Sequence, residues 1–512
     1  MNTKKKIVIL DLNSNFSLLR ENCYIIRIDK GVIKLKNVRD ISHKLNINND
    51  SDKEITIKIL KFIKCFKIFF EKKDLYKTEF TNFRDDKVRI YNKIRCLVRL
   101  KELKLNSNYN IEVISDKADL KNIYKQVFIN FSLKILQNNR KVYSPTYFFF
   151  SRTRFFLKFL IIILYLKITL RKKKIHNTNK IGLSIYPLFF SKNKINLYGI
   201  NNISYLNFLF TDETHINTRF LSLIKIISKL KSKKNFYIIE RDISILGALL
   251  NYCISFKYLF IYQKIKNIKF NVKNVNFSEL LNNYFFISIL NFLKIKNYES
   301  SLCGFFKKNQ INEFHYFLFE YNFGFFLADI IKRSNNKIKL FGYQHGIFNK
   351  NTLWFQILNA AKVGNLFSPD TIYYIYKESK IHYAKTFKKE LIYNIHQKKN
   401  FNKNIICNKI KKNSKNCIFF LGLHDSDDIM GQVLSEFKFI NKFKKIYIKL
   451  HPKNKNYKIS TCGIKKIKFV NNLRNIYFSK IYLSSTSSLI YNFKEYKIPF
   501  QIAKVPYKLT KI

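Results

Sequence analysis

The stretch "KIYIKLHPKNKN", residues 445–456, gathers side chains that can do chemistry. A strand-like apolar run reaches Lys449 and is followed by His451 and Pro452, then by a polar, basic loop. Proline cannot donate to a sheet ladder, so the chain must turn out of the sheet there. His451 then stands at a strand's carboxyl end, with Lys449 two residues back on the same face. An imidazole so placed can donate to a phosphate oxygen or act as an acid toward a leaving group. The plainer alternative is a strand-end histidine beside a turn-forming proline. A second stretch, "IYLSSTSSLIYN" (481–492), sets five consecutive hydroxyl residues, Ser484, Ser485, Thr486, Ser487 and Ser488, between a strand and a helix. Hydroxyls there cap the orphan N–H groups of the first helical turn, and that turn attracts anions. A cap alone needs one such residue.

Other candidates lie upstream. In "YFLFEYNFGFFLADIIKRSNNKIKLFGYQHGIF" (316–348), Glu320 falls at the end of one strand-like run and Gln344-His345-Gly346 at the end of the next. Glu320 and His345 can reach one pocket, and either can serve as a base toward an acceptor hydroxyl. Glu320 as a helix cap or a lysine partner is the competing reading. Gly346 permits close backbone approach. In "LGLHDSDDIMG" (421–431), Asp425, Asp427 and Asp428 precede a helix, where carboxylates favour the N-terminal dipole, so capping is preferred to metal ligation.

These residues need strands and helices to hold them. From about residue 180 strand-like runs alternate with helical ones: 180–190, 235–240, 315–320, 337–343 and 371–376, with helices at 242–256, 282–295 and 324–334. After a basic stretch at 377–415 the pattern resumes with strands at 416–423, 444–450, 466–470, 480–485 and 498–503, and helices at 428–441 and 487–496. Such alternation implies parallel sheets covered on both faces, with ligands beyond the carboxyl ends of the strands. Residues 1–144 mix short strands ("KIVILDL", "CYIIRI") with basic helical stretches such as 53–72 and offer no motif. "RTRFFLKFLIIILYLKITLRKKK" (152–174) is too short in uncharged residues to span a bilayer. It fits an interfacial helix and a buried core helix with a basic end equally well.

Composition sets the frame. The chain has 512 residues, too many for one core, and 47% are apolar, with 51 Phe and 32 Tyr. Its formal charge of +62 suggests a nucleic-acid partner. Yet Lys, Asn, Ile, Phe and Tyr are abundant together while Gly (12) and Pro (6) are scarce, the signature of AT-rich codons, and the lysines are spread along the whole chain. Nucleic acid is therefore not expected as a partner. The eight cysteines are isolated, without CxxC or Cys/His clusters, which argues against zinc and disulfides and for a reducing compartment. The basic N-terminus carries an apolar run too short for a secretory signal.

The C-terminal pattern (strand-His-Pro, strand-Ser/Thr cluster, helix, x-Pro-strand) resembles the donor-binding half of bacterial surface-polysaccharide glycosyltransferases with two Rossmann-like domains, the GT-B type. The sialyl-, polysialyl- and capsule Kdo-transferases, which use CMP-activated sugar acids, are the nearest in pattern. The resemblance implies that His451, Pro452, Ser484, Ser485, Thr486, Ser487 and Ser488 bind the donor nucleotide and its phosphate, and Lys449, on the same strand face as His451, is expected to join them. Residues 316–348 also resemble proteins of surface carbohydrate biosynthesis, at Glu320, Gln344, His345 and Gly346. On the chemistry above, Glu320, His345 and His451 are expected to be catalytic, with Gln344 and Gly346 on the acceptor side. "SPDTIYYIYKESKIHY" (368–383) continues it, and about residues 310–505 are covered. Asn492, seven residues before Pro499, occupies the place of a ribose-binding glutamate in many such enzymes. We include it in the donor site, where its identity disfavours a UDP-sugar and leaves a CMP-sugar preferred.

The sequence thus predicts an α/β protein of two Rossmann-like domains with a cleft between them, plus an N-terminal α/β extension. The expected divisions are 1–144, of no assigned role; 145–176, a basic apolar segment suited to a membrane surface; 177–384, the acceptor side; and 385–512, the nucleotide-sugar side. The expected activity is metal- and cofactor-independent transfer of a sugar, a sugar acid among the options, to a glycan or glycolipid acceptor in capsular polysaccharide or lipopolysaccharide synthesis. The expected place is the cytoplasm, in peripheral contact with an anionic inner membrane face. The alternatives are a polyol-phosphate transferase on a similar scaffold and a non-catalytic basic protein that binds membrane or nucleic acid.

Overall fold

The computed structural model describes residues 5–11, 16–19, 23–28, 33–35, 38–41, 58, 86–105, 108–115, 120–135, 145–170, 181–185, 205–209, 224, 227–228, 236–266, 268–318, 322–344, 369–387, 389–393, 403–422, 426, 429–430, 441–451, 465–484 and 487–503. The first strands are β1 (Lys5–Asp11), β2 (Phe16–Leu19), β3 (Cys23–Arg27), β4 (Ile33–Leu35) and β5 (Val38–Asp40). Helix α1 (Asp86–Glu102), β6 (Tyr109–Ser115), α2 (Lys121–Val127) and β7 (Ser132–Ile135) follow. Ile7 to Leu10 are at most 1% exposed, the near-continuous apolar run of a strand covered on both faces. The sheet is all parallel in the order β5-β3-β1-β6-β7, and β2 and β4 form a separate parallel pair.

The middle of the chain holds α3 (Pro145–Thr169), β8 (Ile181–Ile185), β9 (Tyr205–Leu209), β10 (Phe236–Ile238), α4 (Ile245–Ser255) and α5 (Lys257–Lys266). Then come the hairpin β11 (Asn271–Val272) and β12 (Val275–Asn276), α6 (Ser278–Lys308), β13 (Glu313–Phe317), α7 (Asn322–Ser334), β14 (Lys339–Tyr343), β15 (Thr371–Tyr374), α8 (Lys377–Phe387) and β16 (Glu390–Tyr393). Seven of these strands form a second parallel sheet, β10-β9-β8-β13-β14-β15-β16. Its packing against α6 is aromatic: the Phe208 ring lies 4.9 Å from Phe305 and 5.6 Å from Phe306 of the helix, and 5.2 Å from Phe314 of β13. The C-terminal part contains α9 (Lys403–Cys407), β17 (Asn416–Phe420), β18 (Lys445–Lys449), β19 (Ile467–Val470), β20 (Lys480–Leu483), α10 (Leu489–Glu495) and β21 (Gln501–Ile502). These strands make a third parallel sheet, β19-β18-β17-β20-β21.

All three sheets are wound alike. In each, the second and third strands lie on one side of the first and the later strands on the other, two of them in the five-stranded sheets and four in the seven-stranded one. This is the doubly wound, Rossmann-like arrangement, with a reversal of strand order beside the first strand. Expectation and structure differ in instructive ways. The N-terminal region, expected as an extension without a motif, contains a sheet of the same order as the other two. The helix expected at 282–295 runs from Ser278 to Lys308. The basic stretch 377–415 holds α8, α9 and the seventh strand of the middle sheet, past the division expected at 384. Of the helix expected at 53–72, only Lys58 is among the described residues. Helix α3 buries Phe148, Phe159, Ile163 and Leu166, while Leu157, Ile161 and Ile168 face outward.

The first two sheets share one apolar core, running from Ile7 and Val113 to Phe314 and Ile372. The third sheet has separate cores on its two faces, one around Phe419 and Ile448, the other around Ile418, Ile481 and Phe493. One polar group is built into the N-terminal core. Asp11, fully buried at the end of β1, meets Lys93 Nζ of α1 at 2.5 Å and accepts a hydrogen bond from the Tyr124 hydroxyl of α2. Removing one member of a buried ion pair strands the other in an apolar setting. Asp11→Ala is therefore expected to lower unfolding stability by about 3–5 kcal/mol, read from denaturant curves, whereas a loss below about 1 kcal/mol contradicts a buried pair.

Candidate functional site

The carboxyl edge of the third sheet collects the basic and hydroxyl residues singled out above. Phe420 ends the central strand β17, with Lys449 of β18 opposite it on one side and Leu483 of β20 on the other. Backbone bonds extend the ladder one step further on both sides: Leu421 N–H donates to the Lys449 carbonyl at 3.0 Å, and Ser484 N–H to the Phe420 carbonyl at 3.1 Å. Strands one removed from each other lie roughly 10 Å apart. The segment carrying His451 and the turn beginning at Ser484 thus leave the same edge, on either side of β17. Between β17 and β20 the strand order reverses, the position where open α/β sheets leave a crevice.

Individual side chains differ in what they offer. The Lys449 ammonium reaches sideways and donates to the Asn471 carbonyl just past β19, holding its charge at the edge. His451 is half-buried. Ser484 is fully buried, and its carbonyl accepts from Ser487 N–H at 3.0 Å, closing a tight turn. Ser487 Oγ accepts from Leu489 N–H at 3.3 Å, and Ser488 stands at the helix N-cap without a side-chain capping bond. Helix α10 has seven residues, fewer than the span 487–496 expected, so its dipole is weak. The donors at this edge are hydroxyls, backbone N–H groups and the basic side chains. Asn492 lies half-buried in α10, a turn beyond the hydroxyl cluster. Pro452, Ser485 and Thr486 lie outside the described residues, as do Asp425, Asp427 and Asp428.

In the middle sheet, β13 and β14 are parallel neighbours with Phe317 opposite Tyr343. Glu320, His345 and Gly346, which follow these strands in sequence, lie outside the described residues. Gln344 is described, and its amide bonds within the protein. It is 1% exposed. Its Oε1 accepts from Ile375 N–H at 2.8 Å and its Nε2 donates to Ser379 Oγ at 2.9 Å. The amide thus brackets the end of β14 to the turn between β15 and α8. On the same strand, Gly342 lets the side chains of Leu318 and Pro369 close over β14, because a Cβ there would lie 2.7 Å from both Leu318 Cγ and Pro369 Cγ. Beyond the bracket, the Tyr376 ring stacks on Tyr491 of α10 at 4.5 Å, and Lys494 pairs with Glu378 at 3.2 Å. The middle and C-terminal sheets are therefore in contact beside both edges. Neither the bracket nor the tyrosine pair was read from the sequence; a glutamine between apolar strand ends gives no sign of which backbone groups it will satisfy.

No protein-family model matches the chain, and none of the curated proteins compared with it is significantly similar.

Two outcomes follow from these contacts. Gln344→Leu keeps the bulk but leaves buried N–H groups unsatisfied, and should cost about 1–3 kcal/mol in unfolding stability; an unchanged denaturation midpoint would refute the bracket. His315 of β13 is buried, with Nδ1 2.9 Å from the Tyr343 hydroxyl and its ring stacked on Phe341 at 4.6 Å. Desolvation lowers its pKa from 6.5 to about 4. The unfolded chain then binds the proton more tightly, so this group leaves stability intact above about 6.5 and erodes it as pH falls from there toward 4. The cumulative loss should be about 3 kcal/mol, and His315→Gln should flatten that part of the stability–pH curve.

Proposed function

We propose that the protein is a glycosyltransferase that moves a sugar from a nucleotide-activated donor to a surface-polysaccharide or lipid-linked acceptor. In this reading the middle and C-terminal sheets form the two Rossmann-like halves of a GT-B fold, with the cleft between their carboxyl edges. The observation that carries it is the sharing of one sheet edge by Lys449, His451, Ser484, Ser487 and Ser488, around the end of a central strand where strand order reverses. Such an edge suits a phosphorylated donor, because charge developing on the departing phosphate can be met by fixed donors on both sides.

The acceptor hydroxyl attacks the anomeric carbon, the bond from that carbon to the phosphate oxygen breaks, and the nucleotide leaves with the electron pair. His451 donates to the departing phosphate, and the hydroxyl turn and Lys449 add to the positive field around it. Glu320 or His345 takes the proton of the attacking hydroxyl. A CMP-linked sugar acid is the preferred donor. In the second reading the donor is a CDP-linked polyol: the acceptor hydroxyl attacks the phosphorus that carries the polyol, the bond from that phosphorus to the bridging oxygen breaks, and CMP leaves with the electron pair at the same edge.

The test is a panel of CMP-sugars, UDP-sugars and CDP-polyols scored by the rise in melting temperature, which grows with ligand concentration over dissociation constant. CMP-sugars should stabilise most. His451→Ala should lower turnover by about 10²–10³ with the melting temperature of the free protein unchanged. Full turnover in that variant, or a panel without any stabilising nucleotide, would refute the proposal.

A further inference from the structure

Most of the exposed large apolar side chains among the described residues lie on three neighbouring helices, α3, α4 and α5. A chain that puts lysine over so much of its surface leaves Leu, Ile and Phe outward here. On α3 the outward stripe passes through Leu157, Ile161 and Ile168, at spacings of four and seven that keep one helix face. Because the opposite face of α3 is also apolar and sits in the core, the helix is greasy all round yet covered on one side. Such a helix is ordinarily buried.

The neighbouring helix repeats the pattern. Ala248 and Ser255 of α4 point inward, while Leu246, 65% exposed, and Leu250 point outward. The two helices join along a seam in which Tyr252 stacks on Phe156 at 4.6 Å and its hydroxyl meets Thr153 Oγ1 at 2.8 Å. Their outward stripes flank that seam and make one surface, extended onto α5 by the exposed ring of Phe260. The three helices contain no Asp or Glu. Exposed Arg154, Lys158, Lys167 and Lys257 border the apolar stripes.

From this we infer that the α3–α4–α5 face docks on an anionic lipid bilayer, lying in the interface with its apolar stripes among the acyl chains and its cations at the headgroups. Charge decides between a bilayer and a second copy of this chain. A copy carrying the same cations without a carboxylate would bring like charges together, whereas acidic headgroups supply the complement. Among the described residues no helix is long and apolar enough to cross a membrane. The face therefore rests on the bilayer instead of spanning it. The inference is independent of the donor chemistry proposed above.

Flotation of the full chain with vesicles tests it, with phosphatidylcholine alone and with phosphatidylglycerol added. The protein should float with the phosphatidylglycerol vesicles and stay behind with phosphatidylcholine. The double variant Ile161→Glu, Leu246→Glu alters two outward positions and should keep the parent melting temperature while recovering at least about tenfold less on anionic vesicles. Arg154→Gln with Lys158→Gln should weaken flotation at low salt and leave what remains less sensitive to added salt than the parent's. Equal recovery on both vesicle types would overturn the inference. So would undiminished flotation of the glutamate variant, or a parent chain that ignores vesicles and sediments as a dimer the glutamates dissociate.

Discussion

Parallel strands cannot be joined by a tight turn; each must be left at its carboxyl end and re-entered at the next strand's amino end by way of a crossover that covers a sheet face. In this chain the constraint is met three times with the same solution: begin in the middle, wind two strands out to one side, then return and wind to the other. Wherever the winding reverses, the segments after the first and fourth strands diverge and leave space between them. The basic and hydroxyl residues of the C-terminal sheet border that space, where loops from neighbouring strands do not cover each other.

The buried polar contacts follow the same geometry. Crossovers bring helices onto the strand ends, so polar side chains there either face a ligand or must be satisfied internally. Asp11 shows the second outcome: the helices α1 and α2 supply Lys93 and Tyr124 to a carboxylate at the end of a first strand. Gln344 shows it again, spending its amide on the neighbouring turn. Residues at equivalent edges of similar sheets thus serve different ends, and the difference lies in what the crossovers deliver.

Much of this was legible in the sequence from about residue 180 onward. Runs such as "KIYIK" and "NCIFF" are short, β-branched and aromatic, and they became strands close to where their composition placed them. The proline after His451 and the hydroxyls after Leu483 marked strand ends correctly, because both residue types end a ladder for local reasons. The N-terminal sheet was not legible as such: its edge strands β5 and β7 have three and four residues, too few for a period to show. Helix α6 outran its expected length because the glycine and polar residues near its end are outweighed by packing of Tyr298, Leu302 and Phe306. Gln344 and the Tyr376–Tyr491 pair were invisible for a further reason, since their partners are fixed by tertiary approach and not by spacing along the chain.

The placement of that tyrosine pair has a mechanical consequence. Tyr376 is one residue beyond the backbone N–H that Gln344 holds, and Tyr491 begins three residues past Ser488. The contact therefore sits close to both strand edges. Stacked rings cannot be pressed closer than their own thickness, so the pair sets a least spacing between the end of β15 and helix α10. The Lys494–Glu378 pair beside it is about half exposed and adds little to that spacing.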